Sequence, residues 1–224
     1  MNTVTRMANI DFELLQLNDS TFPIGAYTLS WGLETFVQQK IIHDSQSALE
    51  YLESEISSSF LSNELLPVRL AYEYTLNGEW KKVLEIDEIY NAAKSAKEIR
   101  IGSKKITARF FKTISLWQDY KELSEIEHFP VIYGAYCALK KIPVEDALKT
   151  VLYSQFSARV TTLVKLIPLS QNEGQKILHS LFKNFDQILL DVTKLGEDDL
   201  CCSCPSSEIR GMQHEYLYTR LYMS

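Results

Sequence analysis

Apolar residues recur at steps of three and four along most of this chain, and almost no stretch alternates as a strand would. That period confines the chain to helices that each bury one stripe. From about Ser95, one stripe carries Ile99, Ile106, Phe110, Ile114 and Trp117, with Arg100, Lys104, Lys105 and Arg109 mostly elsewhere. Another carries Leu148, Leu152, Phe156, Val160, Leu163 and Ile167, opened by Pro143 and stopped by Pro168. Asp44 or Ser45 is predicted to cap a helix through Leu49, Leu52, Ile56 and Phe60. Ser62 is predicted to cap the next, through Leu65, Leu66, Val68 and Tyr72, where Pro67 is tolerated only in the first turns. Pro130 opens a short apolar helix over 131–139. Ser170 is predicted to cap one through Ile177, Leu181, Phe185, Ile188 and Val192, ended by Gly196. Residues 196–207 read as a loop before a last helix around 209–221.

The expected fold is all-α, a bundle of roughly eight to ten helices with short connections. With 224 residues and no linker long enough to divide them, one domain over 1–224 is expected, with residues 1–11 flexible. Apolar and charged fractions of 46% and 23% match a compact globular chain. The formal charge of −6 disfavours nucleic acid, because binding its phosphates rests on excess positive charge. No apolar run is long enough to span a membrane and residues 1–11 do not resemble a secretory signal, so a cytoplasmic protein without a membrane partner is expected. Cys137 lies in an apolar stretch, and Cys201, Cys202 and Cys204 crowd into four positions where paired disulfides would be strained; reduced thiols are expected.

Signatures of chemistry are weak. Cys201, Cys202 and Cys204, with His214 ten residues on, offer soft metal ligands, but a zinc site shows a second matching pair. A nickel carrier built on the cysteines is therefore an alternative reading only. His43, His128, His179 and His214 are scattered singly. The phosphate loop GxxxxGK[ST], the dinucleotide turn GxGxxG and the nucleophile elbow GxSxG are absent. No catalytic residue, cofactor site or metal site is assigned. A rival enzymatic reading has Glu34, His128, Glu173 and His214 meeting in one cleft. Arg100, Lys104, Lys105 and Arg109 could form an anion patch, though a solvated helix face is the simpler reading.

The segment Leu14-Leu15-Gln16-Leu17-Asn18-Asp19-Ser20-Thr21-Phe22-Pro23-Ile24-Gly25, followed by Ser30-Trp31-Gly32-Leu33-Glu34, is less ordinary. Pro23, Gly25 and Gly32 inside an apolar sequence demand a defined turn between two helices. The segment resembles the N-terminal signature of the UreF family of urease accessory proteins. His128-Phe129-Pro130-Val131-Ile132-Tyr133-Gly134, Leu152-Tyr153-Ser154-Gln155, the run from Val164 to Gln175, and Met212-Gln213-His214-Glu215-Tyr216-Leu217-Tyr218-Thr219-Arg220-Leu221 resemble further family blocks in the same order. The chain departs from the pattern at Leu29, where family members commonly carry histidine.

The resemblance implies an all-α protein without enzymatic activity that forms a homodimer and binds a second accessory protein, UreH or UreD. It also implies recruitment of the GTPase UreG and docking on apo-urease for GTP-dependent nickel insertion. It places dimer contacts at Tyr153, and Lys149 lies four residues earlier on the same stripe. The tail 206–224 carries Tyr216, Tyr218, Arg220, Leu221 and Tyr222, the composition of a binding surface, and is expected to order on a partner.

Overall fold

A computed structural model describes residues 12–201 and 205–223. The described residues form ten α-helices and no strand. In chain order these are α1 (Phe12–Leu17), α2 (Leu33–Gln38), α3 (Ser45–Ser57), α4 (Leu66–Leu76) and α5 (Trp80–Ala93). They continue with α6 (Lys97–Ile114), α7 (Phe129–Leu139), α8 (Val144–Leu166), α9 (Gln171–Val192) and α10 (Pro205–His214). The expected flexibility of residues 1–11, and Cys202 and Cys204, lie outside the described residues.

Helix α7 is apolar on every face, so it is stable only where neighbours surround it. Residues 129–138 are all buried, and α4, α5, α6 and α8 pack around them. Phe110 of α6 sets its ring edge-on to Phe129 and Tyr136, with centroids 5.6 Å away in each case. The buried tyrosines of α7 keep their hydroxyls satisfied: Tyr133 accepts from Asn18 Nδ2 at 2.8 Å, and Tyr136 donates to Glu13. On one side α3 and α9 pack together, and α9 also packs on α8. The buried guanidinium of Arg159 on α8 reaches Glu55 of α3, its Nε 3.1 Å from both carboxylate oxygens, and lies over the rings of Phe60 and Phe156. At the other end α2, α6 and α10 come together.

Helix starts follow side-chain chemistry where a cap is present. Asp44 and Ser47 form a capping box on α3, and Ser170 and Glu173 form one on α9. Ser62 does not cap α4. It sits inside a π-helical turn, Leu61–Leu65, that runs straight into α4, and Pro67 is the second residue of α4, directly after that turn. Gly196 does not end α9. The helix stops at Val192, and Gly196, with an ordinary φ of −119°, opens the short 3₁₀ turn Glu197–Asp199. The last helix is shifted towards the N-terminus of the expected span: it starts at Pro205, whose ring is preset for a first helical position, and stops at His214.

Helices α4 and α7 approach closely at Gly134. A Cβ placed on Gly134 would lie 2.2 Å from the carbonyl oxygen of Val68, so only a glycine lets the two backbones meet there. Gly134→Ala gains roughly 1 kcal/mol of helix propensity. The clash is with backbone that cannot rotate away, and overpacking of about 1–3 kcal/mol or more should dominate. A lower denaturant midpoint for Gly134→Ala is expected, and an unchanged or higher midpoint would show that α4 shifts freely on α7.

Candidate functional site

The turn that leads into α2 places the most deeply buried carboxylate at this end of the bundle. Phe22 and Ile24 are buried on either side of exposed Pro23. Gly25 and Gly32 then take φ of 75° and 88°, values that glycine tolerates best. Gly32 precedes α2, so Glu34 stands in the first turn of that helix, where the dipole favours a negative charge. Its side chain is only 2% exposed.

A carboxylate this deep needs donors, and the C-terminal segment supplies them. Glu34 Oε1 accepts the backbone N–H of Leu221 at 2.8 Å, and Oε2 accepts that of Tyr222 at 3.1 Å. Oε2 also lies 3.1 Å from Nε2 of His214, which is fully buried. The other imidazole nitrogen, Nδ1, is 2.6 Å from Oε2 of Glu98 on α6, and Glu98 Oε1 accepts from Arg220 at 2.7 Å. One carboxylate thus faces each nitrogen of the imidazole. The cluster runs Glu34, His214, Glu98, Arg220. Around it, Gln38 donates to the carbonyl of Thr219 at 2.7 Å and the N–H of Met223 donates to the carbonyl of Thr28 at 2.8 Å. Glu208 of α10 accepts the N–H of Ala96 at 2.8 Å, just ahead of α6.

The tail is therefore ordered on its own chain, with two kinds of side chain. Tyr222 is buried and Arg220 is engaged by Glu98. Tyr216, Tyr218 and Leu221 point outwards, 87%, 102% and 77% exposed. On α8, Lys149 and Tyr153 are exposed, and the Tyr153 ring lies beside the exposed ring of Phe182 on α9. Leu29 is buried against Gly102.

The four residues of the rival cleft do not form one cluster. Glu34 and His214 touch, Glu173 is spent on the α9 capping box, and His128 belongs to a separate group. His128 is buried, with Nδ1 3.2 Å from Ser103 Oγ and Nε2 3.2 Å from Asn91 Oδ1. As placed, the Asn91 oxygen only accepts, which puts the ring proton on Nε2. Asp87 accepts the N–H of Glu127 and of His128, at 2.9 and 3.0 Å, and so anchors the start of α7. Asp87, Glu127 and His128 are the one group among the described residues that brings three ligand-type atoms within 4.8 Å of one another. Those atoms are engaged already, Glu127 by Lys104 as well, and the group reads as a helix anchor. His43 pairs with Asp44 at the surface, His179 stacks near Phe182, and Cys201 donates its N–H to the carbonyl of Ser62. Glu98 escaped sequence reasoning: its contact with His214 spans 116 positions, and no local spacing announces a pairing at that range.

Fold and geometry define an all-α protein organised around a clamped C-terminal tail. A profile of the UreF family matches residues 42–182. The chain is 34% identical over 221 residues to the urease accessory protein UreF of Actinobacillus pleuropneumoniae serotype 5b (strain L20), covering 94% of this chain and 97% of that protein. It is 33% identical to that of Haemophilus influenzae (strain 86-028NP), covering 94% of each, and 31% identical to that of Bacillus sp. (strain TB-90), covering 94% of this chain and 97% of that protein. The chain belongs to the UreF family of urease accessory proteins. Among the described residues, no helix is long and apolar enough to cross a membrane.

The α7 anchor makes a pH prediction. Burial, helped by the charge of Lys104, lowers His128 to about 4 from 6.5. As pH falls through that window the unfolded chain takes a proton the folded chain refuses, so stability is lost. Burial raises Asp87 to about 6 from 3.8, against the pull of its two N–H donors. The folded chain therefore binds that proton first, and acidification through the window restores stability. The two oppose each other. His128→Gln removes the loss and keeps the gain, so its melting temperature should fall less between about pH 6.5 and about pH 4.5 than that of the wild type. Parallel curves would contradict the assignment.

Proposed function

We propose that this chain works in the cytoplasm as a homodimeric, non-enzymatic scaffold for nickel insertion into apo-urease. It binds the companion accessory protein, UreH or UreD, and with it recruits the GTPase UreG. GTP hydrolysis belongs to that partner, since this sequence lacks the phosphate loop. The observation that carries the reading is the tail: a segment fixed by Glu34 holds Tyr216, Tyr218 and Leu221 in solvent at positions set before any partner arrives. With their backbone already placed, these residues lose less chain entropy on docking than a free tail would, and tyrosine is over-represented among residues that dominate binding energy. Arg220 gives one nitrogen to Glu98 and keeps 40% of its side chain exposed, leaving donors for a partner carboxylate. The exposed pair Tyr153 and Phe182, with Lys149 exposed one turn earlier on α8, suits a two-fold contact between copies of α8 and α9.

Tyr216→Ala/Tyr218→Ala truncates solvent-exposed side chains, so stability should change by about 0.5 kcal/mol or less. The same variant should fail to co-purify with the companion protein and the GTPase, and should activate urease poorly in cells expressing the full set. Wild-type recovery of both partners would contradict the docking role. Tyr153→Asp should sediment as a folded monomer at micromolar concentration, and a dimer there would overturn the interface.

A further inference from the structure

Beside the clamp, α6 and the tail enclose a groove of about 520 Å³. Four cations line it, Lys97, Lys105, Arg109 and Arg220, against two carboxylates, Glu98 and Glu215, in a chain whose formal charge is −6. Lys97, Lys105 and Arg109 all stand on α6 and line the groove together. Arg100 and Lys104, outside the groove lining, are spent on the carbonyl of Lys94 and on Glu127. Lys97 and Lys105 have no ion-pair partner among the described residues. Arg109 lies over Gly25, where a Cβ would come within 1.9 Å of its Nη1, and donates once, at 3.3 Å, to the carbonyl of Ile24. Glu98 is already paired with Arg220. The groove is therefore locally positive, and its partly enclosed walls focus that potential.

We propose that this groove binds an extended acidic segment of a protein partner. Twelve residues of helix separate Lys97 from Arg109, about 18 Å at 1.5 Å per residue. A single small anion reaches at most two of these cations, whereas an extended segment of about five to six residues spans all three. Alternate residues of an extended chain share one side, so an occupant with a carboxylate at every second position presents them together to the cations. The groove uses the tail as a wall and does not require that Tyr216 or Tyr218 dock a partner.

The test uses the full chain and a fluorescein-labelled peptide of roughly ten residues alternating glutamate with leucine, which in extended form places all carboxylates on one side. Saturable anisotropy binding is expected, weakening as salt rises from about 50 to about 300 mM. A glutamine-leucine peptide should bind about tenfold more weakly or less still, and Lys97→Glu/Lys105→Glu should lose about tenfold in affinity with an unchanged melting temperature. Arg109→Ala provides a second variant and should lose affinity in the same direction. Absence of saturable binding, equal binding by the charge-reversed protein, or full displacement of the peptide by about 1 mM inorganic phosphate, which would indicate a small-anion site, would each overturn the proposal. A charge-reversed protein that loses the peptide yet still co-purifies with the GTPase supports the groove and leaves the scaffold reading standing on its own.

Discussion

One buried carboxylate ties the two ends of this chain together. Glu34 enters the interior in the first turn of α2, and nothing on α2 itself satisfies it there. Its donors arrive from 180 or more positions later, as the imidazole of His214 and the N–H groups of Leu221 and Tyr222. A carboxylate buried without such partners costs several kcal/mol, so α2 and the tail stabilise one another. The neighbours extend the same contacts: α10 packs on α2 and α6, Glu98 meets the other nitrogen of the imidazole, and Arg220 pairs with Glu98.

The rest of the bundle keeps that end rigid. Helix α7 is packed on all sides, and the contact of Gly134 with the Val68 backbone fixes α4 against it. Asp87 and His128 hold the start of α7 to α5 and α6. Phe110 links α7 to the Phe22 turn, with ring centroids 6.0 Å apart, and that turn leads into α2. A continuous packed path therefore runs from the interior of the bundle to the carboxylate that positions the exposed tyrosines.

Much of the fold was legible in the sequence because its evidence is local. The stripe from Leu148 to Leu163, the capping boxes at Asp44 and Ser170 and the first-turn prolines all act within a few residues. What failed also failed for local reasons: Ser62 has the right side chain for a cap but lies in a π turn continuous with the next helix, and Gly196 lies four residues beyond a helix that had already stopped. The site was legible in pieces. Glu34, His214 and Arg220 each drew notice, two as members of a supposed cleft and one as a partner ligand, yet their shared role depends on contacts more than 100 positions apart and on Glu98, which has no distinguishing context. The tail's composition marked it as a surface, but composition does not reveal that Tyr222 turns inwards while Tyr216, Tyr218 and Leu221 turn outwards.

Glu34 holds the tail in the isolated chain, before any partner binds. Amide hydrogen exchange reads this directly, since a hydrogen-bonded buried N–H exchanges only through opening. The account predicts that the N–H groups of Leu221 and Tyr222 are protected in the partner-free protein, more strongly than that of Tyr218, and that Glu34→Gln lowers their protection while leaving α7 unchanged. Exchange of Leu221 and Tyr222 at the rate of an unstructured peptide in the wild-type chain would contradict it.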